Sequence, residues 1–396
     1  MPSHRKFSWL WLLAAPFILI PLLFTGVWVF MATTATNVHP TPESIPSQPE
    51  TQTANQATIE SNRLFLRGTL KEQNIPALSV AVAQDDQIIW TEAFGYADTD
   101  NKSPATPQTK FRIGTASIAL TSAALALLLD EGKLKLDDDI RTHVPAFPDK
   151  GKRITIRHLM ANLSGLPRDG GDESELYGAT CQRPLEAVKI FEDLDLISVP
   201  GTKFRLSTYG WVLLAAAAES AAKTPFNTFL QQRLFTPLEM KDTIMEMSPT
   251  TDRASSYFPR YSADTTYGLD PVRDLNFSCY LGAAGIISTP TDLVRFLMAI
   301  QNHKLLQPKT VEALQTNQPL PNNQESGYGL GWDIESITIN GKPTKVIGHD
   351  GDILGGMAST LLSIPTHNLH IAIIANTSYS DTYTIATTIA QSFAKK

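Results

Sequence analysis

The stretch Phe111-Arg-Ile-Gly-Thr-Ala-Ser-Ile-Ala-Leu-Thr121 introduces a run that stays almost wholly apolar or small as far as Leu129. Such a run lacks the polar face of a surface helix, so it predicts a helix that is buried on all sides. We expect the helix to end near Gly132, because glycine readily adopts the left-handed conformation that closes many helices. A fully buried helix needs other elements packed all around it.

Short segments with strand character lie towards both ends of the chain. Residues 78–83 and 88–94 alternate with a period of two around Asp85-Asp86-Gln87, which predicts a hairpin. Further strand-like segments near the C terminus are 346–348, 357–364 and 369–375. We therefore predict an α+β fold: an antiparallel sheet built from both chain ends and flanked by helices, with an all-helical lobe inserted in the middle.

Length and composition agree with one large folded domain. The chain has 396 residues, of which 42% are hydrophobic and 18% are charged. We assign residues 58–396 to this domain, with 58–115 and 280–396 forming an α/β lobe and 116–279 forming the helical lobe. The formal net charge of −6 argues against a nucleic-acid partner, since a nucleic-acid-binding domain usually carries a basic surface.

Six segments in fixed order resemble motifs of the serine β-lactamase and penicillin-binding-protein family. They are 111–121, 158–167, 204–211, 282–289, 327–332 and 348–351. The resemblance covers residues 59–394 and is greatest to the class C-like, esterase-type branch, in which the third motif is His-x-Gly. It implies acyl transfer: a serine attacks a carbonyl, a lysine and a tyrosine move protons, and two backbone N–H groups hold the oxyanion.

The chain departs from this family pattern at the reacting groups. Ser-x-x-Lys falls on Thr115-Ala116-Ser117-Ile118, and Tyr-x-Asn falls on Leu206-Ser207-Thr208, whereas His349-Asp350-Gly351 keeps the third motif. Neither Ile118 nor Leu206 can carry a proton, so Thr115 should be a poor nucleophile near neutral pH. When all members of a buried ionic cluster are replaced by apolar residues at once, the effect on protein stability is often neutral or favourable. We therefore expect an apolar plug in the pocket that would hold the general base.

The resemblance also assigns roles to the residues that remain. Thr115 with His349 is the best surviving catalytic pair, and the N–H groups of Thr115 and Asp352 would form the oxyanion site. Asp350 and Asp352, which flank Gly351, should repel a carboxylate ligand. The predicted binding residues are Ser117, Ser207, Thr208, Asp350, Gly351 and Asp352.

Cofactor and metal signatures are weak. No phosphate-binding or dinucleotide-binding glycine motif stands out, and we predict no cofactor and no metal. His367 and His370 lack an apparent third ligand and are interpreted as solvated residues of a turn. Cys181 and Cys279 form either a disulfide that closes a long loop or two unpaired buried thiols.

The N-terminal segment suggests a membrane location. His4, Arg5 and Lys6 precede an uncharged stretch at 7–32, which is long enough as a helix to cross a bilayer core of about 30 Å. We predict a cytoplasmic tail at 1–6 and a single-pass anchor at 7–32. A solvated Pro/Thr-rich linker at 33–57 would follow, with the folded domain on the outer, periplasmic or extracytoplasmic side. Cleavage near residues 31–35 is the alternative.

Two functions remain open. The first is a membrane-anchored, outward-facing pseudo-hydrolase that binds a cell-wall fragment, a peptide or a protein partner. The second is an active hydrolase of an ester or amide that uses Thr115 with His349.

Overall fold

The computed structural model describes residues 10–169, 174–247, 252–261, 264–272, 275–321, 324–353 and 355–394. Its α-helices are α1 (Leu10–Thr34), α2 (Gln56–Glu72), α3 (Ser117–Asp130), α4 (Ile140–His143), α5 (Ile156–Met160), α6 (Pro184–Phe191), α7 (Thr208–Ala222), α8 (Phe226–Leu230), α9 (Pro290–Gln301), α10 (Pro308–Leu314) and α11 (Thr382–Phe393). Its strands are β1 (Ser47–Gln52), β2 (Ala77–Gln84), β3 (Gln87–Asp98), β4 (Ser103–Pro104), β5 (Phe111–Arg112), β6 (Ile244–Met245), β7 (Tyr257–Tyr261), β8 (Asp264–Pro271), β9 (Ile286–Ser288), β10 (Asp333–Ile339), β11 (Lys342–Ile353), β12 (Met357–Ile364) and β13 (Leu369–Ala375).

The main sheet joins the two ends of the chain. Its strand order is β1-β3-β2-β13-β12-β11-β10, and all neighbouring strands are antiparallel. Leu78 on β2 pairs with Ala375 on β13, so an N-terminal strand lies directly beside the last strand of the chain. Asp85 and Asp86 both have positive φ angles, of 49° and 65°, as expected for the tight turn of the predicted hairpin. The predicted fold class is confirmed.

Two hydrophobic clusters hold the domain together. The larger one contains α3, whose Ile118, Leu120 and Leu125 have no solvent exposure, and it extends through α7 and α9. The smaller one packs α2 and α11 against the sheet through residues such as Leu66 and Ile389. The predicted buried helix therefore lies at the centre of the larger cluster.

The segment 33–57 differs from the predicted solvated linker. His39 and Ile45 are each only 1% exposed, and β1 pairs with β3, with Ser47 opposite Phe94. The backbone N–H of Val38 also donates a hydrogen bond to Asn74 Oδ1. An edge strand can be held by main-chain pairing without an alternating apolar pattern, so the polar composition of this segment did not predict its docking.

The N-terminal predictions are only partly covered by the structure. The predicted tail at 1–6 lies outside the described residues, and the side chains are described from residue 20 onward. Helix α1 exposes large apolar side chains, among them Leu23, Phe24 and Trp28. Within the described part of the chain, no helix has the length and apolar character required to cross a membrane.

Candidate active site

Thr115 lies in a short 3₁₀ turn, Gly114–Ala116, that leads into the N terminus of α3. Its side chain is half-buried, and its hydroxyl donates a hydrogen bond of 3.1 Å to the backbone carbonyl oxygen of Asp350. The preceding residue, Gly114, has a φ angle of 54°, a conformation that favours glycine. The turn thus presents the Thr115 hydroxyl towards β11.

Close packing holds this turn against β11. A side-chain Cβ at Gly351 would lie 2.1 Å from the carbonyl oxygen of Ile113 and 2.9 Å from the backbone nitrogen of Ala116, so only glycine fits there. Ser359 on the neighbouring strand donates a hydrogen bond of 2.8 Å to the same Ile113 carbonyl. The predicted oxyanion site, formed by the N–H groups of Thr115 and Asp352, requires this kind of close approach.

Apolar side chains occupy both predicted proton-carrier positions. Ile118 is completely buried in the larger hydrophobic cluster, and the half-buried Leu206 packs against the same cluster. Ser117 is also completely buried, and its hydroxyl accepts a hydrogen bond of 3.3 Å from the N–H of Ile286. Ser117 therefore links α3 to β9 and does not face a ligand.

His349 is 4% exposed, and both of its ring nitrogens have partners. Nδ1 lies 2.7 Å from the carbonyl oxygen of Asp350, which can only accept, so we assign the proton to Nδ1. Nε2 then accepts a hydrogen bond of 3.0 Å from the hydroxyl of Tyr328. Burial raises the pKa of Tyr328 well above its usual value, which keeps this hydroxyl protonated.

Asp350 does not face the same way as His349, since neighbouring residues of a strand point to opposite faces of the sheet. Its carboxylate accepts a hydrogen bond of 2.7 Å from Thr360 Oγ1. The residue as a whole is exposed, yet desolvation of its carboxyl group, reinforced by the charges of Asp333 and Glu335, raises its pKa to about 7. By the same alternation Asp352 lies on the face of Asp350, so strand geometry turns both carboxylates away from the face of His349 and Gly351, and the expectation that they meet a ligand beside Thr115 is not supported.

Asp352 lies at the end of β11 beside the turn that carries Thr115. Its Oδ2 accepts a long hydrogen bond of 3.4 Å from the N–H of Tyr379. Desolvation of the carboxyl group raises its pKa to about 6, although the residue remains exposed and the positive charge of Arg168 opposes this shift.

The second motif lies at the N terminus of α7. Ser207 caps α7 by accepting a hydrogen bond from the N–H of Gly210, and its hydroxyl donates to the carbonyl oxygen of Pro167 at 2.7 Å. Thr208 donates a hydrogen bond of 3.0 Å to Oδ1 of Asp169, and Tyr280 donates one of 3.2 Å to Oδ2. Ser207 thus has a structural role, whereas Thr208 orients a carboxylate.

Comparison with known proteins identifies the family. Residues 62–394 match the Beta-lactamase family model. The chain belongs to the Beta-lactamase family. It is 25% identical over 399 residues to the human serine beta-lactamase-like protein LACTB, mitochondrial, covering 78% of this chain and 72% of that protein. It is 26% identical over 295 residues to penicillin-binding protein 4* of Bacillus subtilis, covering 72% of this chain and 64% of the relative.

Solved structures agree with this assignment at the level of the fold. The octameric penicillin-binding protein homologue from Pyrococcus abyssi superimposes with a TM-score of 0.71 at 23% sequence identity, covering 85% of this chain and 78% of that one. The family predicted from the six ordered segments is confirmed.

Sequence reasoning missed three residues of this Beta-lactamase family site: Asp169, Tyr280 and Tyr328. Asp169 lies two residues after the end of the matched segment 158–167, so its position alone could have drawn attention to it. Tyr280 is 111 residues away from Asp169 in sequence, and no local pattern connects the two. Tyr328 belongs to a matched segment, but its contact with His349 is a property of the folded chain.

A disulfide supports the loop that carries Tyr280. Cys181 and Cys279 are bonded, with their Cα atoms 4.9 Å apart, which resolves the choice between a disulfide and two free thiols. The N–H of Cys181 also donates a hydrogen bond of 3.1 Å to Ser278 Oγ. Tyr280 is therefore fixed in position beside a covalent link.

The histidine pair considered for metal binding is divided between two environments. His367 lies in a 3₁₀ turn, Pro365–His367, as predicted for a turn residue. His370 is instead completely buried on β13, where its Nδ1 lies 2.9 Å from Ser363 Oγ, and burial lowers its pKa to about 4. The interpretation of His370 as a solvated residue is therefore wrong. Within the described residues, no group of three or more His, Cys, Asp or Glu side chains is arranged to hold a metal ion.

Proposed function

We propose that this Beta-lactamase family member is a catalytically impaired, membrane-anchored protein that binds a cell-envelope ligand or protein partner on the outer side of a membrane. The observation that carries the proposal is the packing of Ile118 and Leu206 into the hydrophobic core at the positions of both proton carriers. An aliphatic side chain can neither accept nor deliver a proton, and a positioned general base or acid typically contributes about 10²–10⁴-fold to the rate.

The surroundings of Thr115 support the same proposal. Its hydroxyl donates to a backbone carbonyl, and a carbonyl oxygen cannot act as a general base at neutral pH. The branched Cβ of threonine also restricts rotation of the hydroxyl towards a substrate. The close packing of β11 at Gly351 nevertheless keeps the turn that carries Thr115 against the strand that carries His349.

The disulfide supports an outward location. Disulfides persist mainly in oxidising compartments such as the periplasm or the cell exterior. Cys181 and Cys279 are 2% and 0% exposed, respectively. The basic residues at positions 4–6 ahead of a long apolar segment favour the same orientation for an N-terminal anchor.

An active ester or amide hydrolase is the second candidate, and one observation favours it. Thr115 Oγ1 and His349 Nδ1 both lie within hydrogen-bond distance of the Asp350 carbonyl oxygen. A shift of that peptide group would bring the hydroxyl and the imidazole towards each other. His349 would then have to exchange its bond to the carbonyl for a bond to the hydroxyl.

Covalent labelling separates the two candidates. The full-length protein in detergent is exposed to a fluorophosphonate probe and to a labelled penicillin. The proposal expects no stoichiometric adduct with either reagent. Stoichiometric labelling that disappears in Thr115→Ala would favour the hydrolase.

A further inference from the structure

Asp350 makes two separate sets of contacts, one through its main chain and one through its side chain. Its carbonyl oxygen accepts hydrogen bonds from Thr115 and His349, at 3.1 Å and 2.7 Å. Its carboxyl group lies on the face of β11 opposite to His349, 2.7 Å from Thr360 Oγ1. This one residue therefore connects the turn that carries Thr115 with the far face of the main sheet.

The carbonyl group of Asp350 lies beyond the end of the β10–β11 ladder. The last pair of that ladder is Asp333 with Gly348. Past this pair, the turn that carries Thr115 packs against β11 in place of a strand, with its closest approach at Gly351. Two side-chain donors therefore hold the Asp350 carbonyl on this side, and side chains can follow or release a peptide group more easily than a paired strand can.

A chain of hydroxyl groups leads from the carboxyl group of Asp350 to α11. Thr360 Oγ1 lies 2.7 Å from Asp350 Oδ1 and 2.9 Å from Oγ1 of Thr382, the first residue of α11. Each hydroxyl has one hydrogen to donate. An ionised Asp350 takes the hydrogen of Thr360, which then accepts from Thr382. A protonated Asp350 can instead donate to Thr360, so its protonation state sets the direction of the chain.

The titratable groups around this carboxyl are mostly acidic. They lie on β10, on α11 and on the same strand, and they are Asp333, Glu335, Asp381, Tyr383 and His349. The Tyr383 hydroxyl donates a hydrogen bond to Glu335. Desolvation is the largest cause of the raised pKa of Asp350, about 7, and the three neighbouring carboxylates add to it, whereas Thr360 opposes it. Ionisation of Asp350 therefore adds a negative charge to a group of like charges near neutral pH.

The cavity beside these groups is very small. Its volume is about 10 Å³, and Asp333, Glu335, Asp350 and Tyr383 contribute to its lining. One water molecule needs roughly this much space, so an organic ligand does not fit. Among the residues that the structure describes, no set of three or more His, Cys, Asp or Glu side chains is arranged to hold a metal ion. The proton is thus the species to which this cluster can respond.

We propose that Asp350 is a pH-sensitive switch: its protonated carboxyl holds the arrangement in which Thr115 and His349 share its carbonyl oxygen, and its ionised carboxylate releases that arrangement. Repulsion from Asp333 and Glu335 displaces the ionised side chain. Because the side chain and the carbonyl belong to one residue, the peptide group turns with it, and His349 Nδ1 loses its acceptor. The switch concerns the shape of the candidate site, so it goes beyond the proposed function and does not depend on it.

Nitrogen-15 NMR of the full-length protein in detergent, labelled at its eight histidines, reports the hydrogen bonding of His349. Its signals are those absent from the spectrum of His349→Gln. Spectra are recorded from about pH 5.5 to about pH 8.5, a range that covers the expected ionisation. We expect the Nδ1 signal of His349 to leave its hydrogen-bonded N–H position as pH rises, with a midpoint near pH 7.

Three variants test whether Asp350 is the source of this transition. Asp350→Asn should abolish it. Glu335→Gln removes a like charge and should lower the midpoint, whereas Thr360→Val removes a donor that favours the carboxylate and should raise it, each by about half a pH unit or more. Asp193→Asn, at an exposed site of the helical lobe, is the control and should leave the midpoint unchanged.

The outcomes separate the switch from an independent titration of the histidine. A His349 signal that stays constant over this pH range in the wild type would overturn the inference, and so would a transition that persists in Asp350→Asn. If Asp350→Asn does not fold, as thermal unfolding would show, the other two variants decide, because unchanged midpoints in both would contradict the switch. Covalent labelling of Thr115 would defeat the proposed function and leave this result unaffected.

Discussion

The Thr115 hydroxyl and the His349 imidazole converge on one carbonyl oxygen, that of Asp350, at 3.1 Å and 2.7 Å respectively. They share one acceptor, whose two lone pairs accommodate both donors, and neither group serves as a base for the other. The second ring nitrogen of His349 is bonded to Tyr328. His349 in this structure is therefore a buried link between β11 and the loop that carries Tyr328.

Replacing His349 should affect stability more than chemistry. His349→Ala leaves the buried Tyr328 hydroxyl without this acceptor, and a lost partner of this kind costs about 1–3 kcal/mol of unfolding free energy. Urea denaturation measures the change. His367→Ala, in a surface turn, is the control and should stay within about 0.5 kcal/mol of the wild type. A His349→Ala variant that keeps its stability but loses a measurable hydrolase activity would favour a catalytic role.

Placing the family's lysine at position 118, with no other change, should destabilise the folded protein. Ile118→Lys places a charge in a fully apolar site, and an uncompensated buried charge typically costs about 3–5 kcal/mol. Burial lowers the pKa of a lysine, so the loss should be largest near neutral pH and smaller above about pH 10, where the unfolded chain is also neutral.

Ile118→Met is the volume-matched control for that experiment and should cost less than about 1.5 kcal/mol. Thr115→Ser combined with Ile118→Lys should show little hydrolase activity while Leu206 remains in place. A stable, active double variant would contradict the apolar-plug interpretation.

The raised pKa of Asp350 predicts how the free energy of unfolding depends on pH. Its pKa in the folded protein is raised to about 7, above the value of about 3.9 expected for an unfolded chain. The carboxyl group of Asp350 therefore holds its proton more tightly in the folded state than in the unfolded chain. The stability that this protonated carboxyl contributes is lost as pH rises from about 4 through 7. Asp350→Asn, which can still accept the hydrogen bond from Thr360, should unfold at a higher temperature than the wild type at pH 8.

The same comparison at pH 4 should show a much smaller difference, because the wild-type carboxyl is then protonated in the folded state. Thermal unfolding across this pH range measures the effect, and Asp193→Asn serves as an exposed control. A difference between Asp350→Asn and the wild type that does not vary with pH would rule out this assignment.

The disulfide should contribute strongly to stability. Cys181 and Cys279 are 98 residues apart, and in the chain-entropy account a loop of that length gives up to about 4–5 kcal/mol. Reduction should lower the melting temperature of the wild type and leave the Cys181→Ala, Cys279→Ala double variant unchanged. Equal melting temperatures for the oxidised wild type and the double variant would show that the link is energetically unimportant.

More of the fold than of the candidate site could be predicted from the sequence. Two local patterns were informative: residues alternate on both sides of Asp85-Asp86, and an apolar run follows Thr115. Each pattern corresponds to an element of the structure. The strand Ser47–Gln52 was missed, because five of its six residues are Ser, Gln, Thr or Glu and the sixth is Pro49. Its pairing with β3 is a property of the folded chain.

Site residues were predicted where they lie in one short motif and missed where distant segments meet. The positions of Ile118 and Leu206 follow from the resemblance to the family motifs, whereas the contact between Asp169 and Tyr280 arises only after the helical lobe folds. The orientation of Asp350 away from the face of His349 depends on strand geometry, which its motif does not specify.

Intact-mass spectrometry after incubation with a fluorophosphonate tests the central claim most directly, because it measures the fraction of the chain that forms a covalent adduct. The wild type and Thr115→Ala are compared at pH 7 to 8. The account predicts that both remain unmodified at the active-site position. A single stoichiometric adduct on the wild type, absent from Thr115→Ala, would show that Thr115 is an activated nucleophile and would contradict the account.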